Sequence, residues 1–346
     1  MKSSLMQRAE FVVTDPPFAS CHAATLVESG GAICCAFFGG SREGKPDVCI
    51  WFCRRDGDSW SEPIVVGDGA QADGQRFATW NPVLFQPSGG PLMLFYKVGP
   101  SPSKWWGVVR TSDDAGRTWS DPRRLPAGIL GPAKNKPVQL GSAILSPCSD
   151  EHPENGWRIY FERSDDGGAT WQATPPVEQP PEIPKATQPT ILVHSAHKLQ
   201  AICRTTIGRL CETWSNDGGR TWQPLRLIDL PNCNSGVDAV TLRDGRHLLV
   251  YNHSNLEKVR YPLNVAITRD GATWQAAAVL ESEPPGQYSY PAVMQSLDGL
   301  VHIAYTFKRR NIKYVVMDPS AIEPQPIEMF VCPPPGSPTH RSDEFQ

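Results

Sequence analysis

The sequence has 346 residues, more than twice the length of a typical domain, so two domains or an internal repeat must account for it. Its 33 Lys and Arg nearly balance 36 Asp and Glu without any basic tract, which excludes nucleic acid and anionic membrane surfaces as expected partners. The 34 Pro and 29 Gly exclude a fold of long helices and predict many short strands and turns.

The N-terminal residues and the cysteine spacing indicate the cellular compartment of the protein. Residues 1–10 lack the apolar run of a secretory signal, and the longest apolar stretch, residues 32–38, is far shorter than a membrane helix. The ten cysteines include no CxxC pair, and Cys34 and Cys35 are adjacent, which is untypical of a disulfide framework or a zinc site. We therefore expect a soluble cytoplasmic protein with buried reduced thiols, no metal and no cofactor.

A turn motif recurs along the chain with a period near 50 residues. Its copies are 56–60 (DGDSW), 112–119 (SDDAGRTW), 164–171 (SDDGGATW), 215–222 (SNDGGRTW) and 268–274 (TRDGATW). Asp suits the bonding of local backbone amides, Gly suits positive φ and Trp suits packing between sheets, so each copy predicts a tight turn between strands. A period of this length predicts stacked or radial repeats.

Six apolar strand-turn-strand units run in phase with the motif. They span 24–38, 83–96, 137–145, 190–202, 239–251 and 292–305. The sixth unit has no copy of the motif, and the N-terminal run 11–13 is predicted to supply its missing outer strand. We therefore predict an all-β fold, a six-bladed β-propeller, as a single domain over residues 1–323, followed by a Pro-rich tail over residues 324–346.

The innermost strand of each propeller blade starts near the axis, so the residues just before these strands are predicted to converge on a central pocket. They are Ser20 to His22, Thr79 to Asn81, Asn135 and Lys136, Thr187 and Gln188, Asn234 with Asp238, and Tyr288 to Tyr290. Later strand ends add Arg42, Glu43, Asp47, Lys97, Arg204, Asn252, His253, Arg260 and Tyr305, with Trp80, Trp105 and Trp106 available for stacking. Arginines suit an acidic group and tryptophans suit sugar rings, so the set favours an oligosaccharide or glycoconjugate that carries negative charge.

The motif S-x-D-x-G-x-T-W at this spacing resembles the Asp-box repeats of the sialidase superfamily, and residues 11–319 resemble the BNR repeat sialidase-like proteins. The resemblance implies a Tyr nucleophile, an Asp acid/base and an Arg triad that binds the substrate carboxylate. Tyr288 matches the nucleophile and Asp47 matches the acid/base. Arg204 and Arg260 match the second and third arginines.

Three positions depart from the pattern of that family. His22 stands at the position of the first Arg, Thr306 at that of its Glu partner, and Gln188 at that of the Glu that activates the Tyr. Because the Arg and its carboxylate partner are replaced together, the charge stays consistent, which indicates a changed specificity. Sialic acid, a uronic acid, a sulfated sugar and a neutral deoxysugar all remain open as the substrate.

Three functions are open at this point. An exo-acting glycoside hydrolase uses Asp47 as the acid and Tyr288 as the nucleophile, with His22 as a base because Gln188 cannot take the proton. A uronate lyase uses Tyr288, His22 and the arginines for β-elimination. A non-catalytic propeller binds a glycan or a protein. Strand alternation places Tyr288 and Tyr290 on one face, and Tyr290 is expected to pack rather than react. The oligomeric state is open.

Overall fold

Six antiparallel sheets form the fold. In the computed structural model, which describes residues 4–152 and 156–339, each sheet has four or five strands, and the sheets follow one another along the chain. The arrangement is a six-bladed β-propeller, which confirms the fold predicted from the repeats.

The strands follow one another blade by blade. The chain opens with β1 (Met6–Phe11), which belongs to blade six. Blade one contains β2 (Ser20–Ser29), β3 (Ala32–Gly40), β4 (Cys49–Asp56), β5 (Ser59–Trp60) and β6 (Ile64–Gly67). Blade two contains β7 (Thr79–Phe85), β8 (Leu92–Val98), β9 (Trp106–Ser112) and β10 (Arg123–Arg124), and blade three contains β11 (Val138–Leu140), β12 (Ala143–His152), β13 (Gly156–Ser164) and β14 (Gln172–Ala173).

The second half of the chain forms the remaining three blades. Blade four contains β15 (Ala186–Val193), β16 (Leu199–Thr205), β17 (Arg209–Ser215) and β18 (Arg226–Pro231), and blade five contains β19 (Asp238–Thr241), β20 (His247–Asn252), β21 (Leu263–Thr268) and β22 (Gln275–Glu281). Blade six contains β23 (Tyr288–Gln295), β24 (Val301–Phe307) and β25 (Asn311–Met317), and β26 (Gln325–Pro326) returns to blade five. Two 3₁₀ turns follow β25, Pro319–Ala321 and Ile327–Met329. No helix of the described residues is long and apolar enough to cross a membrane.

The first strand closes the ring. β1 is the outer strand of blade six, and its pairing with β25 runs from Met6 opposite Met317 to Phe11 opposite Lys313. The N-terminal segment therefore completes the last blade, and its strand ends at Phe11 and does not extend over 12–13. At the other end of the chain, β26 pairs with β22, and Phe330 is buried against blade five.

The repeated motif forms tight turns between the third and fourth strands. In the third copy, Asp166 accepts hydrogen bonds from the amide of Thr170 at 2.8 Å and from its hydroxyl at 2.6 Å. Gly168 in the same turn has a φ of 95°, which a residue with a side chain rarely adopts. The first copy differs, because residues 57–58 form a two-residue hairpin between β4 and β5.

The tryptophans of the motif pack between neighbouring blades, as predicted. Three of these rings meet an aromatic ring of the preceding blade: Trp119 meets Phe52 at 5.4 Å, Trp171 meets Phe95 at 6.0 Å, and Trp222 stacks on Phe161 at 3.8 Å between ring centroids. The hydrophobic core therefore lies between blades, and each blade buries its face only with its neighbours.

Four of the innermost strands share a bulge near their first residues. The pairing register shifts between His22 and Thr25, Trp80 and Val83, Thr187 and Thr190, and Ser289 and Ala292. Within these shifts, Ala23, Asn81, Gln188 and Tyr290 have φ values of 58°, 36°, 57° and 53°. A β-bulge re-aims the side chains around it, so the first residues of these strands do not follow simple alternation.

Candidate functional site

One end of the propeller carries the candidate site. Thr79, at the start of β7, pairs with Val98, which pairs with Trp106, so these strand ends lie together. We call this end the upper face. The turns of the repeated motif lie at the opposite end, because the second copy starts at Ser112, where β9 ends.

Five side chains from different parts of the ring meet on the upper face. The ring of Tyr290 lies 4.1 Å from that of His22, measured between centroids. Three cations approach the same tyrosine ring, Lys134 at 5.8 Å and Arg204 and Arg260 at 5.6 Å each. We call these five residues the central cluster.

His22 in the central cluster is buried and uncharged. Oγ1 of Thr306 lies 2.8 Å from Nδ1 of His22 and also accepts from the amide of Ala23. In the tautomer whose Nδ1 donates to this hydroxyl, Nε2 is a proton acceptor. Burial lowers the pKa of His22 well below its usual value, and four nearby cations lower it further. These cations are Arg309, Arg260, Lys134 and Arg204. The imidazole is therefore neutral, which is the form that can accept a proton.

Lys134 reaches the axis from the loop that precedes blade three. Its Nζ donates to the side-chain oxygen of Asn135 at 2.8 Å, to the carbonyl of Val237 at 3.0 Å and to the carbonyl of Pro291. Burial lowers the pKa of Lys134 to about 7, with Asp238 opposing the shift. The ammonium is therefore poised between its charged and neutral forms near neutral pH.

Several buried polar atoms at the central cluster have no hydrogen-bond partner within the described residues. They are Nη1 of Arg260, Nε of Arg204, Oε1 of Gln188 and Oγ of Ser289. Buried polar groups in native proteins are usually paired, so such a concentration is typical of a site that binds a polar ligand. Within the described chain, no three His, Cys, Asp or Glu side chains are grouped to hold a metal ion.

The comparison with known families agrees with this architecture. A family model described as "BNR repeat-like domain" matches residues 31–303. The chain belongs to the BNR repeat-like domain family. No curated protein matches its sequence.

Several solved structures resemble this BNR repeat-like protein. A protein of unknown function from Dyadobacter fermentans has 18% sequence identity and a TM-score of 0.72, over 90% of this chain and 98% of that one. The NanB sialidase from Streptococcus pneumoniae has 13% identity and a TM-score of 0.71, over 93% and 72%. The intramolecular trans-sialidase from Ruminococcus gnavus has 14% identity and a TM-score of 0.69, over 88% and 96%. At this identity the likeness shows a sialidase-like fold, and the chemistry has to be argued from the site.

The structure of this BNR repeat-like protein separates its two candidate tyrosines. Tyr288 packs on Phe307 at 5.3 Å, and its hydroxyl donates to the carbonyl of Glu283, so it lies outside the central cluster. Burial raises the pKa of Tyr288. The expectation that Tyr288 and Tyr290 share a face is wrong, because the bulge at Tyr290 breaks the alternation. Tyr290 is the tyrosine that meets the cations.

Asp47 also lies apart from the central cluster. It is exposed, and its two carboxylate oxygens accept from the amide and the hydroxyl of Ser41 at 2.7 and 2.8 Å. Desolvation acts to raise the pKa of Asp47, but the bonds from Ser41 outweigh it and lower the pKa. A lowered pKa disfavours the acid role that the family resemblance implies. Arg42, in the same loop, is only partly buried.

The other predicted residues fall into two groups, those at the site and those that hold the surrounding strands and loops. His22, Arg204 and Arg260 belong to the central cluster, and the side chains of Gln188 and Lys134 both lie close to Gly236. Seven other predicted residues make hydrogen bonds that hold the surrounding strands and loops. The donors and acceptors are Asn81 to Ala133, Lys97 to Pro132, Trp80 to Gly99, Asn252 to Tyr288, and Tyr305 to Glu281; His253 is bonded to Tyr251 and Lys136 to Asp238.

Asp238 is a buried junction between blades. Its carboxylate accepts from Nζ of Lys136 at 2.9 Å, from Oγ1 of Thr190 at 2.8 Å and from the amide of Val293 at 2.8 Å. These donors belong to blades four and six and to the loop before blade three. The carboxylate of Asp238, which the sequence predicts to bind substrate, instead connects these parts of the propeller to blade five.

Lys134 and Arg309 are site residues that the repeat and strand patterns do not indicate. The sequence offers no way to prefer Lys134 over Lys136, because both flank Asn135. Arg309 lies in the tight turn after β24, where its carbonyl accepts from the amide of Cys21 at 2.9 Å and its Nη1 lies 2.5 Å from Oε2 of Glu43. The basic run 308–310, directly after β24, is the sequence feature that points to it.

Proposed function

We propose that this protein is a carbohydrate-active enzyme that cleaves a terminal acidic sugar from an oligosaccharide or glycoconjugate. The contact between neutral His22 and Tyr290 inside a group of cations is the observation that supports this most. The cations suit an acidic group of the substrate. The imidazole and the phenol supply a proton acceptor and a reactive oxygen, a pair that a purely binding propeller does not need.

Hydrolysis is the first candidate reaction. The Tyr290 oxygen attacks the anomeric carbon while its proton passes to His22, and the bond to the leaving oxygen breaks as that oxygen is protonated. A water then displaces Tyr290, so the products gain one water. A neutral phenol suits an anomeric carbon beside a carboxylate, which repels an anionic nucleophile. Asp47 serves as the acid in this route only if it leaves Ser41.

β-Elimination is the second candidate, and the state of the nearby carboxylates favours it. Glu43 is paired with Arg309, and Glu151 lies 3.9 Å from Arg204 and accepts from Thr187. Elimination needs no carboxylic acid: His22 takes the proton α to the substrate carboxylate, the carbon–oxygen bond breaks, and a carbon–carbon double bond forms. Tyr290 protonates the leaving oxygen and regains its proton from His22.

Product mass distinguishes the two reactions. Wild type and the variants Tyr290→Phe and His22→Gln are incubated with sialyl, glucuronyl, iduronyl and galacturonyl oligosaccharides. We expect kcat/KM to fall by about 10²–10⁴ in both variants. Products that contain an added water indicate hydrolysis, and unsaturated products without one indicate elimination.

Tyr288→Phe is the matched control for the same experiment. It removes a hydroxyl that bonds only a backbone carbonyl, so near wild-type activity is expected. Loss of activity in Tyr288→Phe with retention in Tyr290→Phe would overturn the assignment of the reactive tyrosine. Wild-type protein that binds these sugars without converting them would support a binding propeller instead.

A further inference from the structure

A groove opens between blades two and three on the upper face. It encloses about 530 Å³, and its walls include Trp105, Trp106, Arg124, Ala127, Asp150 and Tyr160. None of these six residues belongs to the central cluster. Trp105 and Trp106 are partly exposed, and the guanidinium of Arg124 lies 4.8 Å from the centre of the Trp106 ring. The groove therefore combines flat apolar walls with charged groups at its rim.

Aromatic contacts connect the groove to the central cluster. His22 meets Phe38 at 5.6 Å, Phe38 meets Trp80 at 6.4 Å, and Trp80 meets Trp105 at 6.0 Å between ring centroids. Trp106 begins the third strand of blade two, two strand spacings or about 10 Å from the innermost strand. The groove therefore lies further from the axis than the innermost strands.

The loop between β10 and β11, which forms one wall of the groove, is held by buried charged side chains. Glu162 is buried, and its carboxylate accepts from the amides of Leu130 and Gly131 at 2.7 and 2.8 Å. The buried Lys97 donates to the carbonyl of Pro132 in the same loop. The loop then continues to Lys134 in the central cluster. One fixed segment thus forms a wall of the groove and part of the central cluster, and a fixed wall lowers the entropy cost of binding.

We propose that the groove is a second sugar-binding subsite, which holds the leaving-group side of an oligosaccharide while the acidic terminal sugar occupies the central cluster. Sugar rings present apolar faces and polar edges, which match the tryptophans and the rim formed by Arg124 and Asp150. This inference rests on the proposed function for the place of the terminal sugar. It implies that the protein prefers oligosaccharides to short glycosides.

Chain-length dependence tests the groove. Long and short substrates with the same acidic terminal sugar are compared in wild type, Trp106→Ala and Ala127→Glu. Because Ala127 is exposed, its replacement fills the groove without removing packing. We expect KM for the long substrate to rise roughly tenfold in both variants, with kcat and the KM for the short substrate unchanged. Equal effects on both substrates, or no effect on either, overturn the proposal.

Ala169→Glu is the matched control, because it adds the same charge at an exposed turn on the opposite face. It is expected to behave as wild type with both substrates. If no acidic sugar is converted, tryptophan fluorescence with neutral lactose and xylo-oligosaccharides tests the groove separately from the reaction. Quenching in wild type that is lost in Ala127→Glu supports the subsite without the reaction. Wild-type fluorescence that none of these sugars changes overturns the subsite.

Discussion

Backbone strain is concentrated at the residues that gather on the axis. Gln188 and Tyr290 have φ values of 57° and 53°, although each precedes a proline. Sterics disfavour this combination for a residue with a side chain. Such positions cost about 1–3 kcal/mol each and are typical of functional sites. The strained backbone at Tyr290 therefore supports a functional role for this residue, independently of the contacts that its side chain makes.

Lys134 gives the site a pH dependence with a defined sign. Because the pKa of Lys134 is lowered to about 7, its ammonium is charged below that pH and becomes neutral as the pH rises through it. We expect KM for an acidic substrate to rise between about pH 6 and 8 as this cation is lost. Initial rates across this range measure it.

Two variants assign this dependence to Lys134. In Lys134→Met the charge is absent at every pH, so KM should be high and flat. Lys104→Met removes an exposed lysine of the upper face and should retain the wild-type profile. A wild-type KM that does not change with pH contradicts the role of Lys134 in binding the acidic group.

At the scale of elements, two buried charged residues support the loop between β10 and β11. Lys97 is fully buried and bonds the carbonyl of Pro132, and Glu162 bonds two amides of the same loop. Lys97→Met leaves a buried carbonyl unpaired, so we expect the free energy of unfolding to fall by about 2 kcal/mol. Urea denaturation measures it, and Lys104→Met should change it by less than about 0.5 kcal/mol.

The same variant links the loop to function. If Lys97 acts only by holding the loop, Lys97→Met should raise KM through Lys134 and the groove and leave the reaction chemistry intact. A direct substrate role for Lys97 predicts instead an unchanged stability with a large loss of affinity. The structure favours the first outcome, because the Lys97 side chain is shielded from solvent.

The elements also show which parts of the fold are predictable from sequence. The number of blades follows from the motif period, because each unit buries its tryptophan against the preceding blade. The positions of Tyr290 and Lys134 do not follow in this way. The first depends on a bulge that reverses the expected face, and the second depends on a long loop whose path is set by buried groups from two blades.

At the scale of the whole molecule, five histidines of the described chain have pKa values below the usual 6.5, with burial as the first cause in each. They are His22, His194, His247, His253 and His302, and the pKa is lowered to about 4 for the last three. In the unfolded chain each returns to about 6.5 and takes up a proton more readily. The contribution of these histidines to the free energy of unfolding is therefore fully present above about pH 6.5 and is lost as the pH falls towards 4.

We expect acid unfolding to begin in this window, before most carboxylates are protonated. The free energy of unfolding, from urea denaturation at successive pH values, should fall between about pH 6.5 and 4.5. Its slope against pH should correspond to the uptake of several protons on unfolding. His302, which bonds Ser296 and Tyr314, contributes close to one of these protons, so His302→Gln should make the slope shallower. His197→Gln, at an exposed position, should not change it. A free energy of unfolding that stays constant over this range would show that the histidines are protonated equally in the folded and unfolded states.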